Sequence, residues 1–328
     1  MRSILSFKEI VSNYDYFLFD QWGVLHNGSF KFPFAEKCLK YLKKENKKIV
    51  LVSNSSRPTD LSIENLENLG IKNKLYDYCI TSGQIALNFL EKDIYNKYGK
   101  KCFPLKLPKE KKKFFNLDCT TNFKKANFAM IADLKSGLTV LDFAEDLDNM
   151  LKHKLPLLCA NPDYLVHNND NLSMCGGTIA NLYSDLGGKV FRYGKPYKPI
   201  YEDIIKKMKI RDRKKVLAVG DSLWHDIDGG NKMNFDTLWI KNGIHKSQLD
   251  KIDEDYSIKE VEIIKQALLK LKTTKNELQQ NAYELDSMKS KFAEYKDQSS
   301  KSLRIANNKV DNIVLQQGSF EEIRKELE

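Results

Sequence analysis

Along the first third of the chain, short apolar runs alternate with stretches whose apolar residues recur at helical spacing. Tyr16-Phe17-Leu18-Phe19 runs into Asp20, and Ile49-Val50-Leu51-Val52 runs into Ser53-Asn54-Ser55-Ser56-Arg57-Pro58-Thr59. Uninterrupted apolar runs of this length mark strands buried on both faces, as in a parallel sheet. Ala35, Cys38, Leu39 and Leu42 place a helix over 35–46 between them, and Leu61, Leu66 and Leu69 place another after Pro58. A further helix is expected over 82–95.

From about 98 to 188 the texture changes. A lysine-rich stretch precedes a strand at 128–132, a helix at 140–153 and a strand at 155–160 that ends in Asn161-Pro162-Asp163. Cys175-Gly176-Gly177-Thr178 then opens a helix over 179–186. This is the pattern of a second α/β unit inserted into the first. Phe191-Arg192-Tyr193-Gly194-Lys195-Pro196 resumes the first unit. A helix carrying Ile200, Ile204, Ile205 and Met208 follows, then Val216-Leu217-Ala218-Val219-Gly220 running into Asp221, and a last strand at 237–240. Strand and helix alternating in this way predict a doubly wound parallel sheet. The expected boundaries are 1–90 with 188–256 for the core, 91–187 for the insert and 257–328 for a helical extension. In that extension Leu271, Leu278, Leu285, Phe292, Ser299, Ala306 and Ile313 recur every seventh position, but the companion positions are polar and Gly318 interrupts the series. A half-filled heptad suits a coiled coil or a loose appendage.

Composition narrows the function classes. No apolar run reaches the length of a membrane span, and Met1-Arg2-Ser3-Ile4-Leu5-Ser6-Phe7-Lys8-Glu9 is too soon acidic for a secretion signal. Six scattered cysteines form no C-x-x-C pair, which argues against a zinc knuckle or a disulfide framework. A reduced, cytoplasmic setting is expected. The formal net charge is +10, yet only seven of 54 basic residues are arginine, the residue of bidentate phosphate and base recognition. No specific nucleic-acid partner and no membrane partner is therefore expected, and the run Lys109-Glu110-Lys111-Lys112-Lys113 is read as a solvated loop.

Four strand ends carry complementary polar groups: Asp20, Ser53, Lys195 and Asp221. In open α/β sheets ligands bind beyond the carboxyl ends of the strands. Asp20 and Asp221 suit a hard, oxygen-seeking cation such as Mg²⁺, and Ser53 and Lys195 suit the oxygens of a phosphate. Such a setting can make Asp20 a nucleophile that forms an aspartyl phosphate. Ser55 and Ser56 also read as ordinary helix caps.

The order Phe19-Asp20-x-x-Gly23-Val24, Val52-Ser53-Asn54, Gly194-Lys195-Pro196 and Gly220-Asp221-Ser222-Leu223-x-x-Asp226-Ile227 resembles the haloacid dehalogenase superfamily. The insert, with Asn161-Pro162-Asp163 and Gly176-Gly177, resembles its class IIA branch. The resemblance spans roughly 14–243. It implies a Rossmann-like core with an inserted α/β cap, and a Mg²⁺-dependent phosphohydrolase acting on a small phosphorylated metabolite such as a sugar phosphate. By the same resemblance Asp20, Lys195 and Ser53 are catalytic. Ser53, Asn54, Arg57 and Lys195 hold phosphate or substrate. Asp20, the carbonyl of Trp22, Asp221 and Asp226 ligate the metal.

Phosphatases of this family usually place a second aspartate where this chain has Trp22. That aspartate protonates the leaving oxygen, and an indole cannot replace it. His26 and His225 are the nearby histidines suited to proton transfer. Two other readings stay open: a catalytically impaired phosphometabolite-binding or scaffold protein that interacts and self-associates through its tail, and a phosphoryl transferase.

Overall fold

The computed structural model describes residues 6–244 apart from 136, 169, 170 and 242. The heptad and the helical extension expected over 257–328 lie outside the described residues. Twelve strands are present among the described residues: β1 Tyr16–Asp20, β2 Lys48–Ser53, β3 Tyr78–Thr81, β4 Lys101–Pro104, β5 Asp118–Cys119, β6 Phe128–Ile131, β7 Leu157–Cys159, β8 Leu165–Asn168, β9 Asn171–Met174, β10 Val190–Arg192, β11 Val216–Gly220 and β12 Asp236–Trp239. The helices that matter for the site are α1 Ala35–Lys44, α2 Thr59–Asn68, α3 Ser82–Phe89, α4 Lys109–Phe114, α5 Gly176–Asp185 and α6 Lys198–Met208.

The core sheet has the order β12-β11-β1-β2-β3, and every neighbouring pair is parallel. β1 sits at its centre because its residues are apolar on both faces. Phe17 and Phe19 point into one layer with Ile49, Leu51, Leu217 and Val219. Leu18 points into the other with Val50, Val52 and Ala218. This is the period-two alternation of a strand, applied to a sheet covered on both sides. α1 carries Leu39 and Leu42 into the first layer, and α6 carries Ile200 and Ile204 into the second.

A second sheet has the order β10-β7-β6-β4-β5, also parallel throughout. Phe128, Met130 and Leu158 share a continuous buried cluster with Leu18 and Val50 of the core sheet. The opposite face carries Ala129, Ile131, Leu157 and Cys159 against Ile179 and Ala180 of α5. β8 and β9 form a separate antiparallel hairpin.

Two local expectations change. Val190–Arg192, read as the return to the core, pairs with β7, so the second sheet extends past residue 187. Lys109–Lys113 is not a solvated loop but most of α4, and Lys111 is buried against Asp133 with its Nζ 2.7 Å from Oδ2. A run this rich in lysine carries no apolar periodicity, so the sequence pattern gave no sign that one member turned inward. Among the described residues, no helix is long and apolar enough to cross a membrane.

Candidate active site

The carboxyl ends of β1, β2 and β11 lie side by side, because Asp20 is in register with Val52 and Phe19 with Val219. Register alone therefore brings Asp20, Ser53 and Asp221 to one edge of the sheet. Asp226 joins them from the helical turn Leu223–Ile227, where the Ser222 N–H donates to its Oδ2 at 3.1 Å. One oxygen each of Asp20, Asp221 and Asp226 lie within 4.8 Å of one another.

Lys195 reaches this cluster from the loop after β10. Its Nζ lies 2.6 Å from Asp20 Oδ1 and 2.6 Å from Asp226 Oδ1, and the residue is only 4% exposed. Burial opposes charge on its ammonium, but Asp20 and Asp226 outweigh burial and hold its pKa well above the ordinary lysine range. Burial, followed by the charges of Asp226 and Asp221, pushes Asp20 well above the carboxylate range even though Lys195 pulls it down. Asp221 is pushed up to about 7, first by burial and then by Asp226. Three carboxylates thus face one ammonium, and an all-oxygen donor set short of positive charge suits a hard divalent cation.

Gly23 explains how the loop after β1 fits this cluster. Its φ is +81°, and an added Cβ would stand 2.1 Å from Asp221 Oδ2, so the backbone between Trp22 and Gly23 runs directly beside that carboxylate. Trp22 itself turns outward and is 47% exposed. Its ring covers Gly28, where φ is +93° and a Cβ would meet the ring at 2.2 Å.

The phosphate-side residues divide. Ser53 is buried at the end of β2, and its Oγ accepts the Ser55 N–H at 3.1 Å. Asn54 is also buried and is committed to positioning: its Oδ1 accepts the Lys195 N–H at 2.7 Å and its Nδ2 donates to the Lys195 carbonyl at 2.9 Å. Arg57 is exposed on the cavity rim. Ser55 and Ser56 do not cap α2, which starts at Thr59 after Pro58; the Ser56 hydroxyl donates to Asp133 Oδ2 at 2.7 Å instead.

The insert closes the other side of a cavity of about 340 Å³. Asp163 Oδ1 accepts from Asn54 Nδ2 at 2.7 Å and lies 3.5 Å from His225 Nδ1. Asp133 gathers Lys111, Asn161 and Ser56, each at 2.7 Å. Sequence reasoning missed Asp133, and it placed Asp163 at the cap face without a partner. The available signal was that Asp133 ends a strand of the insert as Asp20 and Asp221 end strands of the core. Gln21 lines the cavity, but its amide is held by Cys79 at 3.4 Å and Ser62 at 3.1 Å.

The two nearby histidines are each engaged at Nδ1. His26 Nδ1 accepts the Gly28 N–H at 3.0 Å, and burial pushes its pKa down to about 4, so the ring is neutral near pH 7. His225 Nδ1 lies 2.9 Å from Ser222 Oγ. In both, Nε2 is buried without a hydrogen-bond partner among the described residues.

Residues 17–119 match the family described as haloacid dehalogenase-like hydrolase, and residues 192–263 match the HAD-hydrolase-like family. The chain belongs to the haloacid dehalogenase superfamily. The second parallel sheet, which lies between β3 and β11 in the chain, accords with the inserted α/β cap expected of the class IIA branch. It is 26% identical over 282 residues to the 4-nitrophenylphosphatase of Schizosaccharomyces pombe, covering 76% of this chain and 90% of that protein. A haloacid dehalogenase-like hydrolase from Brucella suis superposes with a TM-score of 0.67 at 28% identity, over 73% of this chain and 89% of that one. The glycerol phosphate phosphatase of Mycobacterium tuberculosis, in complex with magnesium, has the same fold, with a TM-score of 0.55 at 21% identity over 72% of this chain and 70% of that one.

Proposed function

We propose that this haloacid dehalogenase-type enzyme is a Mg²⁺-dependent phosphohydrolase of small phosphorylated metabolites, working through an aspartyl phosphate on Asp20. The observation that carries the reading is Lys195 Nζ at 2.6 Å from both Asp20 and Asp226, with Asp221 alongside, lining a cavity that residues of the insert also line. The 4-nitrophenylphosphatase relative supports the same reaction class.

Asp20, Asp221, Asp226 and the Trp22 carbonyl would hold Mg²⁺, which when bound neutralises carboxylate and phosphate charge. A carboxylate oxygen of Asp20 attacks phosphorus in line, and the bond from phosphorus to the ester oxygen breaks with its electrons on that oxygen. Lys195 and the Ser53 hydroxyl hold the equatorial oxygens through the transition state. Water then attacks phosphorus, the bond from phosphorus to the Asp20 oxygen breaks with its electrons on that carboxylate, and the water's proton passes to the departing inorganic phosphate or to solvent. The leaving oxygen receives no proton from Trp22, so it departs as an anion or takes a proton from solvent. Good leaving groups are therefore favoured. Arg57 on the rim and the insert above select the rest of the substrate.

The test is Mg²⁺-dependent phosphate release from 4-nitrophenyl phosphate by the intact chain and by Asp20→Asn. Release by the first and none by the second is expected. Equal release by both would overturn the nucleophile assignment, and release by neither would favour a protein that binds phosphorylated metabolites without turnover, a reading for which Trp22 is the specific observation.

A further inference from the structure

A second cavity of about 710 Å³ lies between α2 of the core and the start of α4 in the insert. It adjoins the active-site cavity, since Arg57, Asn65, Asp133 and Leu134 line both. The shared wall is built rather than incidental. Lys111, 5% exposed, pairs with Asp133, and Asp133 also takes the Ser56 hydroxyl two residues after the phosphate-side Asn54.

The groove's free charges are unequal. Arg57, Lys109 and Lys135 line it, are exposed, and make no side-chain hydrogen bond or ion pair among the described residues. Lys111 and Asp133 neutralise each other, and two further carboxylates, Glu64 and Glu110, also line the groove. Three unpartnered cations against two carboxylates leave a positive excess. Arg57 stands where the two cavities meet, and its planar fork is the side chain best shaped to take a carboxylate or phosphate by two parallel bonds.

We propose that this groove is an annex of the active site that receives the distal part of the substrate, with Arg57, Lys109 and Lys135 selecting phosphomonoesters that carry a second anionic group. The annex rests on the phosphohydrolase reading for what occupies the main cavity. It adds what the leaving alcohol must look like: long enough to pass Arg57, and ending in an oxyanion. Lys109 and Lys135 come from the insert and Arg57 from the core, so such a group would be held by both.

Matched pairs of esters test this by calorimetry in the presence of Mg²⁺, in the intact chain carrying Asp20→Asn so that no turnover occurs during titration. Glycerol 3-phosphate against 3-phosphoglycerate isolates a distal carboxylate. Fructose 6-phosphate against fructose 1,6-bisphosphate isolates a distal phosphate. The expected result is tighter binding of at least one anionic partner by about five- to tenfold, the scale of a few exposed charge contacts, diminishing as salt screens them. Adding Lys109→Gln and Lys135→Gln should erase most of that preference. Whichever pair shows it identifies the distal group. Equal affinity within both pairs, or a preference that survives the double substitution, overturns the annex. Turnover of 4-nitrophenyl phosphate by the chain with Asp20 intact is measured separately. Its loss would count against the phosphohydrolase reading and leave the binding comparison standing.

Discussion

Asn54 grips Lys195 at both ends of its main chain, accepting from its N–H at 2.7 Å and donating to its carbonyl at 2.9 Å. The two residues are far apart in sequence, and this pair of bonds aims the lysine at Asp20 and Asp226. Asn54→Ala leaves a buried N–H and a buried carbonyl without that partner, which costs about 1–3 kcal/mol. The same change loosens the lysine, so kcat for 4-nitrophenyl phosphate should fall by about 10²-fold, the scale of a small misplacement of a reacting group. Urea unfolding and steady-state kinetics check the two effects.

Trp22 predicts a dependence on leaving group. Its ring is 47% exposed and packs over Gly28, so Trp22→Asp removes little core contact. A carboxylate there can protonate a departing alkoxide, a contribution of about 10²–10⁴-fold. Trp22→Asp should raise turnover of alkyl phosphates by about 10²-fold and alter 4-nitrophenyl phosphate little, since nitrophenolate leaves without a proton. Comparing kcat for the two esters in both forms decides it, and an unchanged ratio would contradict the role given to Trp22.

His26 gives a pH dependence of stability. Burial pushes its folded pKa down to about 4, against 6.5 ordinarily. The neutral ring therefore contributes stability that is fully present above pH 6.5 and is lost as pH falls from 6.5 towards 4, because the unfolded chain takes up a proton that the folded one refuses. Between neutral pH and about pH 5 the chain should lose roughly 2 kcal/mol more stability than His26→Gln does. Denaturant titration of both proteins at the two pH values measures the difference.

The acidic cluster predicts a response to metal. Asp221, pushed up to about 7 by burial and Asp226, penalises the folded state as pH rises from 3.8 through 7. Near pH 8, Asp221→Asn should raise the thermal midpoint in EDTA and shrink the further rise that Mg²⁺ gives. A variant midpoint below that of the natural sequence in EDTA would contradict this description of the cluster.

The core strands were legible because each is an apolar run ending in a polar residue. β1 and β11 announce themselves by Phe17-Leu18-Phe19 and Leu217-Ala218-Val219, and Asp20 and Asp221 follow directly. Lys195, Asn54 and Asp226 could be named from motif order, but not their mutual bonds, which depend on loops that no periodicity describes. β4 and β10 were harder. They are short, and Lys101 and Arg192 interrupt their apolar character. Asp133 and Lys111 were missed because their significance is pairwise, and no local pattern reveals which of many lysines meets which carboxylate across the fold.

The most direct measurement is mass spectrometry of the chain quenched in acid during turnover of 4-nitrophenyl phosphate with Mg²⁺. The account predicts one phosphoryl group on Asp20, absent from Asp20→Asn and removed by hydroxylamine as an acyl phosphate is. Steady turnover with no phosphorylated species at any time of quench, or a phosphoryl group on a residue other than Asp20, would contradict it.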